Sequence, residues 1–487
     1  MGGCFSKPKP VEVKVELSLL EKEKDVDGLS PNGKASPFAD CRPNGALGHG
    51  SDDDSTPPPL YHKARDYVEA SVCHVKDLEN GQMREVDLGS GRALLIKEHG
   101  EFSAMAHKCP HYGAPLVKGV LSKGHVRCPW HGACFDIATG DLEDFPGLDS
   151  LPTFQVTVPA GAVLTHSLTS VINSSSGFSH VLIIGSGPAG LVCAETLRQE
   201  GFTDRIVMCT KDRHPPYDRP KLSKSLESTA EQLRLRSMDF LQDHDIELLV
   251  DKEAVSIDVK TRSVTFEDGS RMEYKKLFII EQHYVLVIYF LFVQLKEVVL
   301  KSGKVLRADV CVIGAGSIPA TGFLKQSGIH MDSRGFITVN KMMQTNADGV
   351  FAGGDVVVFP FPPRHNKKVN IPHWQMAHVH GRVAALGMMG RPADLKTVPY
   401  FWSAMFGKTI RYAGYGDGFD DVIIQGDLDE LRFVAFYTRG EEVVAVASMN
   451  YDPIVSRVAE VLGSGKTIRK RDVETGDISW LIDKGPQ

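Results

Sequence analysis

The chain has 487 residues, 42% of them hydrophobic and 24% charged, with a formal net charge of −6 and a pI near 6.3. That length allows about three domains, and the acidic balance argues against nucleic acid as a main partner, because neutralising phosphates needs a basic surface. Nine cysteines in 487 residues are too sparse for a disulfide scaffold.

In chain order, residues 1–66 read as a disordered arm of Pro, Gly, Ser, Lys and Asp, as in Asp52–Asp54 and Pro57–Pro59. Met1-Gly2-Gly3-Cys4-Phe5-Ser6 matches the myristoylation pattern at Gly2, with Cys4 as a candidate palmitoylation site. Two acyl chains would hold the protein on a membrane surface. No apolar run follows Met1, so no secretory signal is expected. Glu12, Glu16, Glu21 and Glu23 precede the first arginine, Arg42, unlike a mitochondrial presequence.

Residues 67–166 alternate short β-type runs with Gly and Pro turns, the pattern of a small all-β domain. Within it stand Cys109-Pro110-His111 and, after sixteen intervening residues, Cys128-Pro129-Trp130-His131. Each loop offers one thiolate and one imidazole, so Cys109, His111, Cys128 and His131 are the candidate metal ligands. Two Cys and two His also suit tetrahedral zinc, but zinc motifs usually pair like ligands within a loop. The mixed pairs suit a [2Fe-2S] cluster in which one iron takes both thiolates and the other both imidazoles. Gly113 and Gly132 follow the histidines and permit tight turns. Cys134 reads as a core residue.

Residues 167–179 form a Ser/Thr/Asn-rich linker, and at His180 an α/β texture begins that runs to residue 397. The apolar strand Val181–Ile184 leads into Gly185-Ser186-Gly187-Pro188-Ala189-Gly190 and a helix. Gly185, Gly187 and Gly190 are therefore candidates for seating a pyrophosphate on a helix N-terminus. Asp212, beyond the strand Arg205–Cys209, is the candidate ribose ligand. The apolar stretch Leu277–Val293 is broken by Glu281, Gln282 and His283, and its longest clean run has ten residues. A membrane span needs about 20, so a buried strand is expected. Residues 398–487 read as an α+β domain, with strands Val422–Gln425, Arg432–Tyr437 and Glu442–Ser448 before a helix at Pro453–Leu462.

The stretch 67–160 resembles a Rieske ferredoxin domain. Some Rieske proteins add a disulfide between the two cluster loops. Here Ala114 and Trp130 stand at those positions, which implies the ferredoxin-type subclass and the lower part of a potential range of roughly −150 to +300 mV. Three further segments resemble FAD-dependent NADH:ferredoxin reductases and the apoptosis-inducing factor family. They are Gly185–Gly190, Pro216-Tyr217-Asp218-Arg219-Pro220-Lys221-Leu222-Ser223-Lys224, and Thr345–Asp355, which ends in Gly354-Asp355. His373-Trp374-Gln375-Met376-Ala377 resembles the helix that follows.

The resemblance implies a multidomain chain: an all-β Rieske domain, an α/β FAD-binding Rossmann-type domain of the glutathione-reductase-like class, and an α+β C-terminal domain. It implies that Arg219 binds the phosphate or adenosine side of FAD, and that Lys224 is the catalytic cation near the flavin ring. Asp355, beside Gly354, would bind the ribityl chain, and Trp374 would pack on the ring. The activity implied is that of an FAD-dependent NAD(P)H oxidoreductase, linked to apoptosis, passing single electrons to the cluster and on to an unknown acceptor. A Rieske oxygenase is disfavoured, since no D-x2-H-x4-H iron motif is found.

One departure stands out. After Lys276–Ile280 the family carries a glycine turn and a complete NADH-binding domain. This chain has only Glu281–Gln294 before Leu295–Leu300 and Lys304–Leu306, which read as a later hairpin. One βαβ unit needs about 30 residues. Gly314-Ala315-Gly316 does not substitute, because Pro319 holds the position of the third glycine. NAD(P)H, a substrate of full-length relatives, is therefore not expected to have its usual site. Either exons are missing from the sequence or the protein is genuinely shortened. The alternative function is a non-catalytic, membrane-associated pro-apoptotic protein or scaffold. The family points to the mitochondrion, the N-terminal pattern to a cytoplasmic membrane surface.

Overall fold

The computed structural model describes residues 12–17, 68–157, 180–280, 284–285, 296–308 and 317–476, apart from single residues at 90, 226, 392 and 394. The lipidation candidates Gly2 and Cys4, the linker 167–179, most of the junction 281–294 and Gly314-Ala315-Gly316 lie outside the described residues.

The first domain is built on a six-stranded antiparallel sheet. Its order is Val68–His74, Glu12–Leu17, Thr153–Thr157, Glu101–Ala106, Arg92–Glu98, Gln82–Asp87. The strand Arg92–Glu98 explains the layering. Side chains alternate across a strand, so Leu94 and Ile96 join Met105 and Phe135 in one core while Ala93 and Leu95 join Leu78 and Val86 in another. Residues Glu12–Leu17 correct the expectation of an arm disordered throughout 1–66. They alternate Glu12, Lys14 and Glu16 with Val13, Val15 and Leu17, the period of a strand, and pair with both Val68–His74 and Thr153–Thr157.

A second sheet is a meander of short strands, Val120–Ser122, His125–Arg127, Cys134–Asp136 and Leu142–Asp144. The first cysteine–histidine loop follows Glu101–Ala106, and the second joins His125–Arg127 to Cys134–Asp136.

The central domain holds a parallel sheet in the order Ile246–Leu249, Ile206–Cys209, Val181–Ile184, Lys276–Ile279, Val350–Ala352. Every residue of Val181–Ile184 is buried, as a parallel strand covered on both faces requires. Helix α1 (Pro188–Gln199) leaves that strand directly; α2 (Met238–Asp243) precedes the edge strand, and α3 (Trp374–Met388) packs on α1. The carboxyl ends of the strands bring Gly185, Thr210, Ile280 and Gly353 to one edge, where open α/β sheets bind ligands. Lys276–Ile279 is a strand with Leu277, Phe278 and Ile279 buried, the rest of the stretch expected to form a buried strand lies mostly outside the described residues, and no described helix is long and apolar enough to cross a membrane. The expected hairpin is present as Glu297–Val299 paired with Val305–Arg307, and it exposes Val299, Leu300, Val305 and Leu306.

The last domain is an antiparallel sheet in the order Tyr400–Met405, Lys408–Gly414, Glu442–Met449, Arg432–Arg439, Asp421–Asp427. Helix α4 (Ile454–Gly463) covers one face, with Val455 and Val458 packed into a core that includes Tyr400, Phe436 and Val446.

Candidate functional site

The two cysteine–histidine loops fold alike. In each, the glycine four residues after the cysteine donates its N–H to the cysteine carbonyl: Gly113 to Cys109 at 2.8 Å and Gly132 to Cys128 at 3.3 Å. Each cysteine N–H in turn donates to the alanine carbonyl beyond, Ala114 at 2.9 Å and Ala133 at 2.7 Å. Gly132 illustrates the constraint. Its φ is +79°, and a Cβ there would sit 2.8 Å from the ring of Tyr400.

Cys109 and Cys128 are 2% and 1% exposed, and their thiols hydrogen-bond to each other. The N–H groups of His111 and Tyr112 donate to the Cys109 sulfur, and those of Trp130 and His131 to the Cys128 sulfur. Such donors favour thiolate. In the pair, the hydrogen bond and burial push Cys109 up, while accepting that bond brings Cys128 down. The imidazoles meet separately, with His111 Nδ1 and His131 Nδ1 3.1 Å apart. Burial holds both neutral, lowering His111 to about 3 and His131 to about 2.

Among the described residues no three His, Cys, Asp or Glu side chains converge as they would on one ion. Two thiols and two neutral imidazoles form separate pairs instead. That donor set, with N–H groups already aimed at sulfur, fits a two-iron cluster better than zinc.

Two aromatic side chains bracket the imidazoles. Trp402, on the edge strand of the C-terminal sheet, lies 4.8 Å from His131 and 5.9 Å from His111 between ring centroids. It also lies 5.9 Å from His373, which caps α3. Tyr112 lies 4.1 Å from His111 and 5.1 Å from His131.

The second loop is clamped by the C-terminal domain. Arg411 Nε donates to Trp130 O at 2.7 Å and its Nη1 to Asp452 at 2.5 Å, while Ser456 Oγ donates to Cys128 O at 3.3 Å. Behind the loop, buried Arg127 donates to Gly132 O at 2.7 Å and pairs with Asp144 at 3.1 Å and with Glu460 of α4. Asp144 also accepts from Thr397 Oγ1 at 2.8 Å and Gln375 Nε2 at 3.3 Å. One polar hub thus joins all three domains.

At the head of the parallel sheet, the glycine turn is closed tightly. A Cβ on Gly190 would lie 2.5 Å from Ile280 Cδ1 and 2.7 Å from Gly185 O. The N-cap of α1 is Gly187, with Pro188 after it, so the first N–H groups of the helix have no side-chain cap. Asp212 accepts from Tyr217 Oη at 3.2 Å and stands 3.9 Å from Arg219. Burial lowers Arg219 from its ordinary range, and Tyr217, Asp212 and Asp355 are the neighbours that oppose the shift. The structure therefore gathers Asp212, Arg219 and Asp355. Gly354 N donates to His380 Nδ1 at 3.2 Å.

Lys224 is exposed and donates from Nζ to Ser403 Oγ of the C-terminal domain at 3.0 Å. Trp374 packs on His378, with centroids 5.5 Å apart. Near this end of α3, His373 Nδ1, both ring nitrogens of His378 and His380 Nε2 are buried without protein partners. Orphaned polar atoms beside a glycine cradle fit a polar cofactor.

The family models agree in order. A Rieske [2Fe-2S] domain matches residues 69–155, a pyridine nucleotide-disulphide oxidoreductase matches 179–279 and 292–381, and a reductase C-terminal domain matches 400–479. The class is therefore an FAD-dependent oxidoreductase carrying a Rieske domain. The chain is 52% identical to apoptosis-inducing factor 3 of Homo sapiens over an alignment of 606 positions covering both chains completely. Identity to the Mus musculus protein is 51%, again over the whole of both chains. The chain belongs to the apoptosis-inducing factor 3 family. The alignment of 606 positions less the chain's 487 residues leaves at least 119 positions with no counterpart here. The solved covalent complex of putidaredoxin reductase with putidaredoxin shares the reductase fold, at 20% identity and a TM-score of 0.56, covering 62% of this chain and 97% of that one.

Proposed function

We propose that the chain relays electrons from its FAD, reduced by a two-electron donor other than NADH, to its own [2Fe-2S] cluster and on to a one-electron acceptor, without the NADH site of its relatives. FAD accepts electrons in pairs and releases them singly, and the cluster carries one at a time. Cys109, His111, Cys128 and His131 would hold the cluster. Gly185, Gly187 and Gly190 would seat the pyrophosphate, with Asp212, Arg219 and Asp355 around the rest of FAD. Lys224 would supply positive charge near the ring, and Trp374 would border it.

The observation that carries the reading is the placement of the imidazoles. His111 and His131 lie between Trp402 and Tyr112 at the meeting point of the three domains. The absence of an NADH site is supported by the family model, which stops at residue 279 and resumes at 292. The test is anaerobic titration of the purified chain with NADH, watched by flavin absorbance. No saturable bleaching is expected; stoichiometric bleaching at micromolar NADH would refute the reading.

A second reading, a non-catalytic scaffold linked to apoptosis, is favoured by the same missing segment. It requires that reduced flavin fail to reduce the cluster. For location, the Gly2 and Cys4 pattern supports a membrane surface, while the family association supports the mitochondrion.

A further inference from the structure

The hydroxyl of Tyr112 donates to Asp218 Oδ2 across the boundary between the Rieske and FAD-binding domains. Asp218 is buried and precedes the short turn Arg219–Ser223, and its N–H donates to Leu233 O at 2.8 Å. Lys221 Nζ stands 3.4 Å from the same carboxylate and 4.4 Å from the centroid of the Tyr112 ring. Phenol, carboxylate and ammonium close a latch between the first cluster loop and the loop that carries Arg219 and Lys224.

Ring packing alone does not account for this arrangement. A phenylalanine would lie on His111 and His131 equally well, yet here a phenol is paired with a buried acid from another domain. Other contacts hold other parts of the interface. Arg411 and Ser456 grip the second loop, and Arg382 of α3 reaches Leu142 O at 3.1 Å. The first loop, with Cys109 and His111, meets the flavin loop through Tyr112.

We propose that Tyr112 is a positioning residue, holding the His111 side of the cluster in register with the flavin loop through Asp218. The inference rests on the electron-relay reading above. A hydrogen bond to a charged group shifts an equilibrium by about tenfold or more. Misplacing reacting groups by about 1 Å can cost about 100-fold in rate. Loss of the latch should therefore slow electron arrival at the cluster by about tenfold.

The test uses the full chain carrying cluster and FAD. The flavin is photoreduced by a light pulse in the presence of a sacrificial electron donor, and cluster reduction is timed from its visible absorbance. Tyr112→Phe and Asp218→Ala should each slow it about tenfold, and the double variant should be no slower than either. Asp218→Asn, which keeps an acceptor for the phenol, should retain most of the rate. The cluster's paramagnetic resonance spectrum should stay native in all four variants. A second readout needs no flavin: exchange of the Gly113 amide, bonded to Cys109 O at 2.8 Å, should quicken in Tyr112→Phe. A native rate and native exchange in Tyr112→Phe would overturn the inference while leaving the relay intact. No transfer in the parent chain would overturn both.

Discussion

Replacing Arg127 by methionine should loosen the joint between all three domains. Arg127 is 8% exposed, and its guanidinium holds Asp144, Glu460 and the Gly132 carbonyl together. Methionine fills part of the space but supplies no donor, so two carboxylates lose the cation they share. Breaking a buried ion pair costs about 3–5 kcal/mol. The Asp144 and Glu460 side chains keep 15% and 18% exposure, which places the expected loss at the lower end, about 3 kcal/mol. Burial already raises the Asp144 carboxyl, opposed first by Arg127 and then by Thr397. Without Arg127 it rises further. A folded-state pKa above the unfolded value means that the folded chain binds more protons. Stability then falls as pH climbs from the ordinary aspartate value near 3.9 through the raised one. The deficit should be largest at pH 8, shrink on acidification, and shrink again when Asp144→Asn and Glu460→Gln are added. Urea denaturation followed by the cluster's visible circular dichroism measures it. A loss below about 1 kcal/mol at pH 8, with no rescue by the added substitutions, would refute the reasoning.

Three further outcomes are expected. Purified protein should contain two irons and two acid-labile sulfides per chain, and His131→Cys or Cys109→Ser should abolish the histidine-ligated resonance; one zinc without sulfide would contradict the ligand assignment. Gly190→Val should lower the FAD content of purified protein to near zero, because its Cβ meets Ile280 Cδ1 at 2.5 Å and backbone Gly185 O at 2.7 Å, and full occupancy would count against the proposed cradle. Gly2→Ala should remove label from a myristate analogue and move the protein to the soluble fraction; an unlabelled parent chain would dispose of acylation.

The cluster loops and the glycine turn could be read from sequence because their chemistry is local. Cys109 and His111, or Gly185 through Gly190, sit within one turn of chain, so spacing is enough to single them out as candidates. The strand Glu12–Leu17 escaped because its period-two pattern is short and lies in a polar, proline-rich arm. The hub escaped for another reason. Arg127 and Glu460 are 333 positions apart, and neither differs from a solvated charge until the domains meet. Trp402 and Tyr112 likewise gain their importance only from standing beside imidazoles set by other loops. The aromatic run Tyr400-Phe401-Trp402, just inside the C-terminal domain, is the signal that could have drawn attention to it.

The most direct measurement is paramagnetic resonance of the anaerobic full chain, frozen after selective photoreduction of its flavin by a sacrificial electron donor, with no redox mediator present. A reduced, histidine-ligated [2Fe-2S] signal that grows as the flavin is reoxidised is expected, at equal yield in dilute and concentrated samples. A flavin that stays reduced beside an oxidised cluster would contradict an intramolecular relay.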